Sequence, residues 1–106
     1  GKNAQIIRMD GHGVPEILDA ILRVFPLDTY IEKPVNLMEV MPGDDVQTPI
    51  WDGYKKTVEK YDERGKNAIG EIERFKFYEE TKTAYAVIAT SEKALYANIM
   101  LQKGVV

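Results

Sequence analysis

"AYAVIATSEKALYANIMLQKG", residues 84–104, is the stretch that decides how this chain folds. Its first seven letters have the length and the β-branched, small apolar content of a buried strand. "SEKALY" breaks the pattern and makes a corner, and "ANIMLQKG" resumes as one more strand before the chain ends. Two strands this close together need a sheet to enter, so the fold is set by what precedes them.

Toward the N-terminus, "IGEIERF" enters as a strand and "KFYEETK" as a short helical turn. Before these, Trp51, Tyr54, Val58 and Tyr61 fall on one face of a helix that follows Thr48 and Pro49 and is closed by Gly65. Nothing polar is interleaved with this aromatic stripe, so it reads as core packing and not as a cofactor box. "PVNLMEVMPGDD" reads as a strand from Val35 to Met41, stopped by Pro42 and Gly43. Further back, Ile17, Leu18, Ile21, Leu22 and Phe25 recur at the spacing of one buried helix face, with Pro15 at its start and Pro26 at its stop. Gln5 to Arg8 is a short strand closed by "DGHG". Strands alternating with helices define an α/β fold: a sheet flanked by helices on both faces, in a single domain, for which 106 residues supply one hydrophobic core.

Composition removes several classes of function. With 14 basic against 17 acidic residues the formal net charge is -3, so the chain lacks the basic footprint that nucleic-acid binding needs. There is no cysteine, hence no disulfide framework and no thiolate metal site, which fits a reducing, cytoplasmic setting. No apolar run approaches the ~20 residues of a membrane span, and "GKNAQ" has no signal-type apolar stretch. One histidine and scattered carboxylates lack ligand spacing, so no metal is expected.

"GHG" at residues 11–13 is neither a phosphate loop nor a dinucleotide fingerprint, because no later glycine and lysine complete either pattern. Ser91, the sole serine, sits in a turn or cap context and not beside a base. What remains is a polar and aromatic set: Asp28, Arg74, Tyr78, Tyr96 and Asn98. On a helix Arg74 and Tyr78 face the same way; in an extended chain Tyr96 and Asn98 share a sheet face. The same residues also fit a structural role, with Arg74 in a surface ion pair and the tyrosines half-buried with wet hydroxyls.

The stretches "IIRMDGHGVPEILDAIL", "FPLDTY", "ERFKFYE" and "AYAVIATSEKALYANIMLQKGVV", and more weakly "QTPIWDGY", give the chain a resemblance to the family of L-fucose mutarotases and D-ribose pyranases. "LYANIMLQKGV" is the most specific of them, and "RFKFYE" and "PLDTY" resemble the fucose branch. The resemblance implies an enzyme that opens a sugar hemiacetal and recloses it on the other face of C1, without cofactor. It implies sugar binding by Arg74, Tyr96, Asn98 and the backbone near Ala97, and places Asp28 and Tyr78 in the pocket, with Tyr96, Tyr78 and Asp28 as the catalytic candidates. It also implies a homo-oligomer, a decameric ring with pockets near subunit boundaries. The family's proton donor is a histidine in an N-terminal Gly-His-Gly-Asp stretch, whereas His12 is followed by Gly13, Val14 and Pro15, so His12 reads as a loop residue. The resemblance implies that the domain is N-terminally incomplete relative to the family, without that donor histidine. The expectations are a monosaccharide mutarotase acting on L-fucose or, as alternatives, a D-ribose pyranase-like enzyme or a paralogue that binds a sugar or another subunit without chemistry.

Overall fold

The computed structural model describes residues 5–105. Residues 1–4, part of the stretch lacking a signal-type run, and Val106 lie outside the described residues. The order of elements is β1 (Gln5–Met9), α1 (Val14–Val24), β2 (Val35–Met38), α2 (Ile50–Tyr61), a 3-10 turn at Gly65–Ala68, β3 (Ile69–Ile72), α3 (Arg74–Thr81), β4 (Ala86–Thr90) and β5 (Ile99–Leu101). The α/β alternation expected from the sequence is present, with one change: the strands form two sheets, not one. β1 and β4 pair in parallel, and β2 lies between a parallel β3 and an antiparallel β5.

The three-stranded sheet carries the core. Val35 and Leu37 of β2 pack with Leu18 and Leu22 of α1, Trp51, Tyr54 and Val58 of α2, and Leu27 and Ala68. These are the positions that the helical spacing marks as apolar, and alternate residues of β2 meet them because strand side chains repeat every two residues. Phe25 is the exception on α1. Pro26 disfavours helical geometry at the residue before it, so Phe25 is extended, leaves the helix face and meets the Lys103 ammonium, 5.2 Å from its ring centre.

Other boundaries differ for local reasons. α2 stops at Tyr61, and Gly65 (φ +57°) opens the 3-10 turn instead of closing the helix. The stop comes from Asp62, which is extended and turns its carboxylate onto Arg64, accepting from its backbone N–H at 2.9 Å and from Nη2 at 2.8 Å. β2 ends at Met38, three residues early, because the Pro42–Gly43 turn pulls Met41 out of the ladder. The expected buried strand at "AYAVIAT" is only half-buried: Val87 of β4 is 39% exposed, and Ile6 on its partner β1 is 73% exposed. A two-stranded sheet with no third neighbour among the described residues leaves apolar positions uncovered.

The loop after β4 ties this small sheet to the rest. Ser91 lies in a loop and not in a turn: its hydroxyl accepts from Gly11 N–H at 2.6 Å and its N–H donates to the His12 carbonyl at 3.0 Å. Gly13 offers no capping side chain to α1. The Glu92 carboxylate fills that role, accepting from Val14 N–H at 2.9 Å and also from Lys93 and Ala94 N–H. A Cβ on Gly13 would lie 2.8 Å from that carboxylate, so glycine keeps the approach open.

The N–H groups of Val14 and then Ala94 hold the Glu92 carboxyl below the usual glutamate range. A depressed folded pKa means stabilisation that is present above the unfolded pKa of ~4.3 and is lost as pH falls through the folded value. Glu92→Gln should therefore lower the urea midpoint near neutral pH, with the gap to the parent closing below about pH 4. Equal gaps at pH 7 and pH 3 would contradict the assignment.

Candidate functional site

Both parallel pairs have their carboxyl ends marked by loops, and in open α/β sheets that is where ligands are received. Past the carboxyl end of β2 the Tyr96 hydroxyl meets Met41 and Asp44, and Arg74 follows the parallel β3 at the same end of the sheet. Glu39 N–H still bonds to the Ile72 carbonyl at 2.8 Å, so the two strands leave the sheet side by side. Glu73 then caps α3, its carboxylate accepting from Phe75 N–H at 3.0 Å and Lys76 N–H at 2.7 Å, which fixes Arg74 in the first helical turn.

Tyr96 is the centre of the cluster. It does not share a strand face with Asn98, as an extended "YAN" would require: Tyr96 has φ +54°, the left-handed region, and β5 begins only at Ile99. The conformation costs a non-glycine residue about 1–2 kcal/mol, so other groups must hold it. Two of them come from the aromatic stripe of α2. Trp51 Nε1 donates to the Tyr96 carbonyl at 2.8 Å, and the Tyr54 hydroxyl donates to the Ala97 carbonyl at 2.6 Å. Burial, assisted by the negative charge of Glu92, pushes the Tyr54 phenol well above the usual tyrosine range, so it stays a donor. The stripe is core, as its spacing indicates, but it also positions the loop. Side-chain periodicity reports burial and is blind to where a ring N–H or hydroxyl points.

The Tyr96 hydroxyl is gripped from the other side. It accepts from Met41 N–H at 3.1 Å and donates to the Asp44 carboxylate. Neither partner was legible in the sequence as a site residue; the Pro42–Gly43 turn that carries them was legible only as a strand stop. Arg74 is half-buried, and its Nε is buried with no hydrogen-bond partner among the described residues. It is not the surface ion pair of the structural reading.

The remaining predicted residues are less concentrated. Ala97 is buried and Asn98 exposed, next to Tyr96. Tyr78 lies one turn after Arg74 on α3, 44% exposed, with Phe77 edge-on beside it. Asp28 is at the opposite end of the three-stranded sheet. Its N–H donates to the Gln102 carbonyl at 2.8 Å, beyond the far end of β5, and its carboxylate accepts from Tyr30 N–H at 2.8 Å. Four residue-to-residue steps of extended chain, about 13 Å at ~3.3 Å each, separate Gln102 from Asn98. One chain therefore does not bring Asp28 to Tyr96. His12 is in the loop between β1 and α1, with Nδ1 paired to Glu16.

Two open depressions, about 620 and 540 Å³, lie near Asp28 and share Thr29 and Arg64. Their charged centre is already satisfied: Arg64 donates to the carbonyls of Ile31 and Asp28, each at 3.0 Å, and to Asp62. The arginine of that surface is therefore committed to the protein itself, whereas the Arg74 Nε is buried without a partner among the described residues. Among the described residues no helix is long and apolar enough to cross a membrane, and no group of three or more His, Cys, Asp or Glu is placed to hold a metal ion.

The chain belongs to the RbsD / FucU transport protein family, which it matches over residues 2–106. It is 47% identical over 102 residues to the fucose mutarotase of Homo sapiens, covering 93% of this chain and 65% of that protein. The chain thus spans just under two thirds of the length of this relative. The structure of FucU from Bifidobacterium longum matches all of this chain and 74% of that one, with TM-score 0.96 and 64% identity. A Streptococcus pneumoniae fucose mutarotase in complex with L-fucose matches with TM-score 0.89 and 44% identity, over 96% of this chain and 71% of that one.

If α2 holds the Tyr96 loop, Tyr54→Phe should destabilise the protein by roughly 1–3 kcal/mol, since the buried Ala97 carbonyl loses its donor. Trp51→Phe should do the same at the Tyr96 carbonyl. Urea denaturation gives the cost, and hydrogen exchange should show faster opening confined to the residues around Tyr96. Unchanged exchange there would contradict the positioning role.

Proposed function

We propose that this chain carries the sugar-holding site of an L-fucose mutarotase, at the carboxyl ends of β2 and β3. The observation that supports it most is the half-buried Arg74 with an unpartnered Nε, at the same sheet end as the clamped Tyr96 hydroxyl. A buried donor without a partner costs free energy unless a ligand completes it, and a neutral sugar offers hydroxyl acceptors. The name of the human relative and the L-fucose in the pneumococcal structure support the choice of sugar.

Anomer exchange requires one proton to leave the anomeric hydroxyl and another to reach the ring oxygen, so an acceptor and a donor must lie within about 3 Å of the two oxygens. In this reading Tyr96 is a catalytic residue, Arg74 and Asn98 bind the sugar with the backbone at Ala97, and Tyr78 closes one wall. Asp28 takes part only where a second copy of the chain brings it to this end of the sheet, as a ring of subunits with pockets at their boundaries would do; exposed Tyr30, Phe75 and Tyr85 are suited to such contacts. The domain is read as one unit, in which Tyr96, Arg74 and Asn98 hold the sugar and the group that protonates the ring oxygen is a further one. The absence of cysteine supports a cytoplasmic setting. No part of this chemistry calls for a cofactor.

Saturation transfer between the α and β anomers of L-fucose tests the reading. The protein purified from its source should speed exchange, and Tyr96→Phe should reduce the acceleration by about 10² to 10⁴ with unchanged folding. The 106-residue chain alone should bind L-fucose yet exchange it close to the spontaneous rate. His12→Leu should leave exchange within a few-fold of the parent, since among the described residues His12 bonds to Glu16 and to the backbone of Met9 and Ser91. Full activity in Tyr96→Phe would overturn the assignment.

A further inference from the structure

We infer that Asp44 is a positioning residue: it fixes the direction of the Tyr96 hydroxyl proton and thereby makes Tyr96 an acceptor, not a donor, toward the sugar. The inference rests on the sugar-site reading above and adds the polarity of its central contact.

A phenol has one proton to give and a limited number of lone pairs to offer. Met41 N–H takes one lone pair at 3.1 Å. An ionised carboxylate can only accept, so the Asp44 side chain takes the proton. What remains on the Tyr96 oxygen is acceptor capacity alone. A guanidinium, by contrast, can only donate, so Arg74 complements Tyr96. The site thus presents one fixed acceptor and one fixed hydrogen-bond donor to the sugar, which orients its hydroxyls; Arg74 holds an oxygen and does not protonate it.

The two groups that hold the hydroxyl come from a single four-residue turn. Asp44 N–H bonds to the Met41 carbonyl at 3.0 Å, Pro42 occupies the second position and Gly43 the third, with φ +94°. That combination is a type II turn, and it sets the Met41 amide and the Asp44 carboxylate on the same phenol oxygen. Trp51 holds the Tyr96 carbonyl and Tyr54 the Ala97 carbonyl from the other side, which fixes the backbone that carries the ring toward the turn. Asp44 is exposed and no core residue rests on it, so its replacement leaves the fold intact.

The test uses NMR titrations with L-fucose and with paired deoxy and deoxyfluoro analogues at each hydroxyl in turn. Fluorine accepts weakly but cannot donate. At the hydroxyl that meets Tyr96, the parent protein should therefore bind the deoxy and fluoro analogues equally poorly. In Asp44→Ala the phenol proton is free to turn outward, and the fluoro analogue should regain several-fold over its deoxy partner. Gly43→Ala, which keeps the carboxylate but strains the turn, should move the ratio in the same direction by less. Loss of a merely structural contact would weaken both analogues together. An unchanged fluoro-to-deoxy ratio in Asp44→Ala overturns the inference. A sugar-free measurement separates it from the functional reading: the 13Cζ signal of Tyr96 should move in Asp44→Ala and stay in Asp45→Ala. A Tyr96 signal unmoved by Asp44→Ala overturns the inference whether or not sugar binds, while a moved signal in a protein that binds no L-fucose overturns the functional reading instead.

Discussion

Two hydrogen bonds from one helix to two consecutive carbonyls hold the working end of this molecule together. Trp51 and Tyr54 are a turn apart on α2, and both reach the loop that leads from β4 into β5, at Tyr96 and Ala97. Without them nothing on the apolar side of that loop would offset the left-handed backbone of Tyr96, and β5 would lose its entry into the sheet beside β2. The arrangement works because the rings are large enough to fill the core and still carry a donor at the far edge. Leucine at the same positions would pack and leave the carbonyls unpaired.

The same loop joins the two sheets. At its start Ser91 and Glu92 bind the turn after β1 and the first amide of α1; at its end Tyr96 is held by the turn after β2. Three segments, residues 11–14, 41–44 and 51–54, therefore converge on residues 91–97. A small domain with two short sheets needs such a strap, since a two-stranded sheet is marginal by itself.

Much of the framework was legible in the letters. The 3.6-residue spacing of Leu18 and Leu22, and of Trp51, Tyr54 and Val58, marks the faces that the core uses, and Pro42–Gly43 and Pro26 mark stops that are real. What was not legible has physical causes. A proline acts on the residue before it, so Phe25 left the helix face although its spacing fits. The strand "AYAVIAT" has buried composition but only one partner strand, and composition cannot count neighbours. Tyr96 and Asn98 look alternate until the backbone at Tyr96 turns left-handed. Asp44 reads as one more acid in a solvated turn, because its contact with Tyr96 spans 52 positions of chain. The spacings pair Arg74 with Tyr78 and Tyr96 with Asn98, whereas in the fold Arg74 and Tyr96 come from separate segments at one end of the sheet and Asp28 belongs to the other end within one chain.

The central claim is that sugar is received where β2 and β3 end and not in the open depressions beside Asp28. Mapping backbone amide shifts of 15N-labelled protein during titration with L-fucose tests this directly. The account predicts saturable shifts centred on Met41, Asp44, Arg74 and residues 96–98. Shifts centred instead on residues 29–33, Arg64 and Asn67, with those amides unmoved, would contradict it.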